Sequence, residues 1–124
     1  MLVRIDPYLQ EVWKRVYAND DNANIKNCGV YQMRDGGYVI ASTIELGDPK
    51  NDEISLLRLN SEGEEQWRRT YGSNEDDTGA KVVELDDASF VIIGTIGFEI
   101  NQDSDSKMCL MKVNPDGELI PIGD

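Results

Sequence analysis

Leu2-Val-Arg-Ile-Asp-Pro-Tyr-Leu-Gln-Glu-Val-Trp13-Lys-Arg-Val-Tyr17 lies in register over Leu56-Leu-Arg-Leu-Asn-Ser-Glu-Gly-Glu-Glu-Gln-Trp67-Arg-Arg-Thr-Tyr71, with Trp13/Trp67, Arg15/Arg69 and Tyr17/Tyr71 among the identities. A third copy opens at Leu110-Met-Lys-Val-Asn-Pro-Asp-Gly-Glu118 and the sequence stops before its tryptophan would arrive. Between these copies, Val30 to Ile44 lies over Val82 to Ile96 and shares Asp35/Asp87, Val39/Val91, Ile40/Ile92, Thr43/Thr95 and Ile44/Ile96. The unit therefore repeats every ~54 residues, and self-similarity at such a period decides the architecture before any local assignment.

Each unit reads as four short strands. They are A (28–34, then 80–86), B (38–44, then 89–96), C (53–60, then 107–114) and D (66–71, then 118–122), with residues 1–17 supplying only C and D of an earlier unit. The A–B link Asp35-Gly36-Gly37 and the C–D links Asn60-Ser61-Glu62-Gly63 and Asn114-Pro115-Asp116-Gly117 are hairpin turns that place glycine where positive φ is needed. No segment carries a helical period. Strand B is apolar on both faces, with Tyr38, Ile40 and Ile44 against Val39 and Ala41, then Phe90, Ile92 and Ile96 against Val91 and Ile93. Such a strand calls for cover on both sides, which stacked sheets supply. The expectation is an all-β chain of antiparallel four-stranded meander blades forming one repeat domain: a half blade at 1–17, a blade at 18–71 and a blade at 72–124. With two and a half repeats it is expected not to close a ring alone, and to associate with copies of itself or with the rest of a larger propeller.

The balance of 24 acidic against 12 basic side chains gives a net charge of −12, which repels phosphate backbones and anionic lipid and disfavours nucleic acid as a partner. The apolar runs are too short for a membrane span. Met1 is followed at once by Leu-Val-Arg-Ile, without the succession of a secretory leader, so the expectation is a cytoplasmic chain or one whose leader lies outside this sequence. Cys28 and Cys109 form no framework and are expected to be buried free thiols. The run Met108-Cys109-Leu110-Met111 predicts a strand covered on both faces.

Histidine is absent, which removes Ser-His-Asp and Cys-His catalysis and histidine zinc sites; no phosphate-cradling glycine loop precedes a helix, and no motif places a carboxylate pair. An enzyme is not expected. The meander topology sends residues 19–22, 45–52, 74–77 and 99–106 to one end as long acidic loops. There Asp103 and Asp105 with Asn101 are the best candidate ligands for Ca²⁺, though no loop carries a full series ending in a bidentate glutamate. Trp13-Arg15-Tyr17 and Trp67-Arg69-Tyr71 suit either a sugar platform or a guanidinium packed among rings to close a blade. Recurrence at the repeat offset favours the structural role.

Trp67-x-x-x-Tyr71-Gly72, Asp35-Gly36-Gly37-Tyr38-Val39-Ile40-Ala41-x-Thr43 and Leu56-x-x-Leu59-Asn60-x-x-Gly63 together resemble the tandem β-propeller repeats of bacterial and archaeal secreted or surface proteins. The resemblance implies a scaffold fold in an extracellular or cell-surface setting. It departs at Tyr8-Leu9, in place of the C–D glycine, and at Ala88-Ser89, in place of the glycine pair, so these two turns are expected to be less tight. The expected function is a non-enzymatic scaffold or protein-recognition module. The alternative is a glycan-binding or carbohydrate-processing accessory module using the acidic loop face.

Overall fold

The computed structural model describes residues 1–17, 24–46, 51–72, 77–100 and 103–121. Within them the elements are ten strands: β1 Leu2–Ile5, β2 Glu11–Arg15, β3 Asn24–Gln32, β4 Tyr38–Leu46, β5 Asn51–Leu59, β6 Glu65–Tyr71, β7 Thr78–Glu84, β8 Phe90–Ile100, β9 Asp103–Val113 and β10 Leu119–Ile120. Among the described residues there is no helix, and so none long and apolar enough to cross a membrane. The pairing is antiparallel throughout: a hairpin β1–β2, a meander β3-β4-β5-β6 and a meander β7-β8-β9-β10.

Five turns share one hydrogen-bond pattern. Leu9 N donates to Asp6 O, Gly36 N to Met33 O, Gly63 N to Asn60 O, Ala88 N to Leu85 O and Gly117 N to Asn114 O, each at 2.9–3.1 Å. A second bond closes each loop one residue further on, as in Asn60 N to Glu64 O at 2.9 Å. The fourth turn residue needs positive φ. Gly36, Gly63 and Gly117 supply it at 80–87°, and Leu9 and Ala88 adopt it too, each at 64°. The glycine-free turns are thus no looser than the others, contrary to expectation. Their side chains accept the strained conformation because the ladder on either side fixes the turn, and carboxylates lock it from within: Asp6 Oδ1 accepts from Tyr8 N and Gln10 N, Asp87 Oδ1 from Ser89 N.

Strand length departs from expectation at the acidic end. The β8–β9 ladder runs on through Ile96↔Lys107 and Phe98↔Asp105 to Ile100↔Asp103, and β4–β5 through Glu45↔Asp52 to Leu46↔Asn51. Of the loops expected at 99–106 and 45–52, residues 99–100, 103–106, 45–46 and 51–52 therefore belong to strands. The backbone ladder runs straight past the charged positions 99, 103 and 105 that the sequence reads as loop.

The core lies between the two four-stranded sheets. Val39, Ala41, Ile54, Leu56 and Tyr71 of the first meet Val82, Phe90, Ile92 and Val113 of the second, with Met33, Tyr31, Trp67 and Met111 around them. Full burial of each large apolar side chain is worth about 1.5–3 kcal/mol. At the turn end, Arg34 ties the sheets by its backbone N–H to Glu84 Oε1 (3.0 Å) and its guanidinium to Asp86 Oδ1 (2.6 Å).

Candidate functional site

Trp67, Arg69 and Tyr71 alternate along β6, so all three side chains fall on the face toward the second sheet. There they close on the β9–β10 turn. Trp67 Nε1 donates to Pro115 O at 3.0 Å while its ring meets Phe90 edge-on at 6.3 Å, Arg69 stacks on that indole at 5.9 Å, and Tyr71 Oη donates to Gly117 O at 2.6 Å. A β-carbon at Gly117 would stand 2.8–3.0 Å from Arg69 and Trp67, so the turn must present glycine there. Arg58 of β5 adds a donor to Pro115 O at 2.7 Å and stacks over Phe90 at 5.7 Å. Burial pushes the Tyr71 phenol up to about 12, against the opposing charge of Arg69.

The N-terminal hairpin repeats this arrangement one unit earlier. Tyr17 Oη donates to Gly63 O at 2.6 Å, spanning the same 46 residues as Tyr71 and Gly117. Arg15 Nε reaches Glu62 O at 3.4 Å, and Trp13 lies 3.0 Å from a β-carbon placed on Gly63 and meets Tyr38 edge-on at 5.7 Å. The copy is not perfect: Trp13 Nε1 is buried without an acceptor, where Trp67 has one. The two triads singled out in the sequence are therefore each brought together, one against the β5–β6 turn and the other against the β9–β10 turn.

Beyond these contacts the repeats differ in what covers them. Val82 is 5% exposed but its counterpart Val30 is 56% exposed; Leu56 is fully buried but its counterpart Leu110 is 55% exposed. Ile92 and Ala41 are buried, whereas Ile40 is partly and Ile93 well exposed. Position in the repeat thus does not decide burial; the presence of a neighbouring sheet does. Two apolar surfaces stand open as a result. One is a groove of about 310 Å³ on the β3–β4 side of the first sheet, lined by Leu2, Ile25, Cys28, Val30, Ile40 and Leu57 among others. The other is the outer face of the second sheet, with Val83, Ile93, Met108 and Leu110.

This corrects two expectations. Both cysteines are free, but Cys28 is exposed and Cys109 only half-buried. Strand β9 is covered on one face alone, because Met111 and Val113 pack on the first sheet while Met108 and Leu110 have none against them. Burial, the largest influence, nevertheless raises the Cys109 thiol above its ordinary value.

Polar features are few. A recess of about 290 Å³ at the turn end is bounded by Asp35, Arg58, Asn60, Gln66, Trp67 and Asp116; within it Arg58 already pairs with Asp35 at 3.5 Å and with Pro115 O. Asp87 is held down to about 2 by the Ser89 hydroxyl, the Ser89 N–H and Lys112. Asp77, expected in an acidic loop, is instead fully buried: its N–H donates to Asp52 O at 2.7 Å and its Oδ1 accepts from Gly97 N at 3.0 Å. Nothing local distinguishes it from its acidic neighbours. Of the calcium candidates, Asn101 lies outside the described residues, as do the side chains of Asp103 and Asp105, whose backbone belongs to β9. Among the described residues no three His, Cys, Asp or Glu are grouped to hold a metal ion. No family model, curated protein or solved structure matches this chain.

Proposed function

We propose that this chain is a non-enzymatic assembly module: two and a half blades of a β-propeller-type stack, whose open faces take up further blades and so build a scaffold or recognition surface. The observation that carries this is the contrast between equivalent residues, Val82 covered and Val30 open, Leu56 covered and Leu110 open. Apolar surface stands open on the β3–β4 side of the first sheet and on the outer face of the second, and contiguous apolar surface of this kind marks an interaction site. The recurring tyrosine-to-glycine-carbonyl bond supports the same view, since it fastens each unit to the turn of the next and engages both phenols internally. The sequence adds the absence of histidine and of any catalytic motif.

The test is the mass in solution by light scattering at micromolar concentration. Association above 13.9 kDa is expected, through copies of the chain stacking on one another. A clean 13.9 kDa monomer with a cooperative melt would overturn self-association and point to a self-sufficient pair of sheets.

A further inference from the structure

We infer that the groove beside β1 is a docking site for a β-hairpin of the β3–β4 kind, which adds to the free edge of β1 while laying its apolar face over Ile25, Val30 and Ile40. This deepens the proposed function and rests on it. Three observations carry the inference. First, β1 pairs with β2 alone among the described strands, so the Leu2–Ile5 edge facing away from β2 has no strand on it. Unpaired edges of this kind recruit extended segments by main-chain hydrogen bonding. Second, that edge adjoins the apolar groove: Leu2 lines it together with Ile25, Cys28, Val30 and Ile40, and Tyr17 at its margin is fastened to Gly63. The groove therefore continues an interface that is already built.

Third, the molecule contains the filled version of the same site. Leu2 to Ile5 correspond to Leu56 to Leu59 of β5, and the edge of β5 is paired with β4 through Leu56↔Ala41 and Arg58↔Val39. The hairpin β3–β4 thereby places Val39 and Ala41 in the core with Val82 and Ile92, the counterparts of Val30 and Ile40. By that template the incoming strand sets a small apolar residue opposite Leu2 and a β-branched one opposite Arg4. The occupant is thus a two-stranded antiparallel hairpin with small and β-branched residues alternating on its inner face. A complete second copy fits less well, because its own β4 and β8 already pair on both sides.

The experiment uses the whole chain and a synthetic hairpin of residues 30–44, which carries Tyr38 to Ile44 of β4 and the Asp35-Gly36-Gly37 turn and contains no cysteine. Cys28 lies in the groove and Cys109 does not, so their thiol-labelling rates report where the peptide sits. At peptide ten times above its Kd, labelling of Cys28 is expected to slow about tenfold with Cys109 unchanged. Amide hydrogen exchange at Leu2–Ile5 should slow in parallel, which adsorption to an apolar surface without strand pairing would not produce. The peptide carrying Val39→Lys and Ala41→Lys should do neither. Absence of binding, protection of Cys109 in place of Cys28, or Cys28 protection without slowed exchange in β1 would overturn the inference. Failure of the peptide to bind while light scattering still shows stacking would overturn it and leave the assembly proposal standing through the β7–β10 face.

Discussion

Replacing Tyr71 by Phe isolates the bond that fastens the first sheet to the turn of the second. The phenol is 8% exposed and donates at 2.6 Å to the carbonyl of Gly117, itself buried. The phenylalanine ring keeps the packing, so no cavity opens and the loss is the unpaired carbonyl, about 1–3 kcal/mol. Tyr17→Phe removes the same bond to Gly63 from a half-buried phenol, where water can replace part of it, and should cost about 0.5–1.5 kcal/mol. Urea unfolding at neutral pH, followed by the fluorescence of Trp13 and Trp67, measures both losses. Alkaline pH supplies a second signature. Burial raises the Tyr71 phenol to about 12 from an ordinary value of 10.0, so its contribution is fully present below pH 10 and is lost as pH climbs through 12. That loss is about 3 kcal/mol and should be absent from Tyr71→Phe. Equal losses at the two positions, or a neutral Tyr71→Phe with unchanged alkaline sensitivity, would refute the reasoning.

Leu9→Gly should stabilise the chain by roughly 0.5–1 kcal/mol, because it relieves a left-handed leucine while glycine gives back part of the gain as chain entropy. Leu9 is largely exposed, so little packing is lost, and thermal melts decide the sign. Thiol labelling of the native chain should modify Cys28 first, with Cys109 lagging because it is half-buried and its thiol is held above the ordinary value. The Cys109 rate should keep rising with pH beyond the ordinary thiol range, because burial holds its thiol up; a faster Cys109 at neutral pH would contradict the placement.

The parts of the fold legible in the sequence are those set by local chemistry and by repetition. Trp67, Arg69 and Tyr71 announce themselves by recurring, and Asp-Gly-Gly and Asn-x-x-Gly identify turns whose hydrogen bonds are then identical. What stayed hidden depends on distant partners. Whether Cys28 or Val30 is buried turns on a sheet that would have to lie over them, and no residue near either reports its presence. The length of β8 and β9 was hidden because Glu99, Asp103 and Asp105 read as loop residues in the sequence. Asp77 is buried by Asp52 and Gly97, whose pairing with it no local pattern announces.

The central claim is that the two sheets are successive copies of one unit, each covered on the face where another copy lies and open where none does. Val82→Ala against Val30→Ala tests it most directly, by urea unfolding in dilute solution, where self-association is weakest. The substitution removes the same two methyl groups from the same position in the repeat, at 5% exposure in one case and 56% in the other. The expected losses are about 1–3 kcal/mol for Val82→Ala and under about 0.5 kcal/mol for Val30→Ala. Equal losses at the two positions would contradict the account.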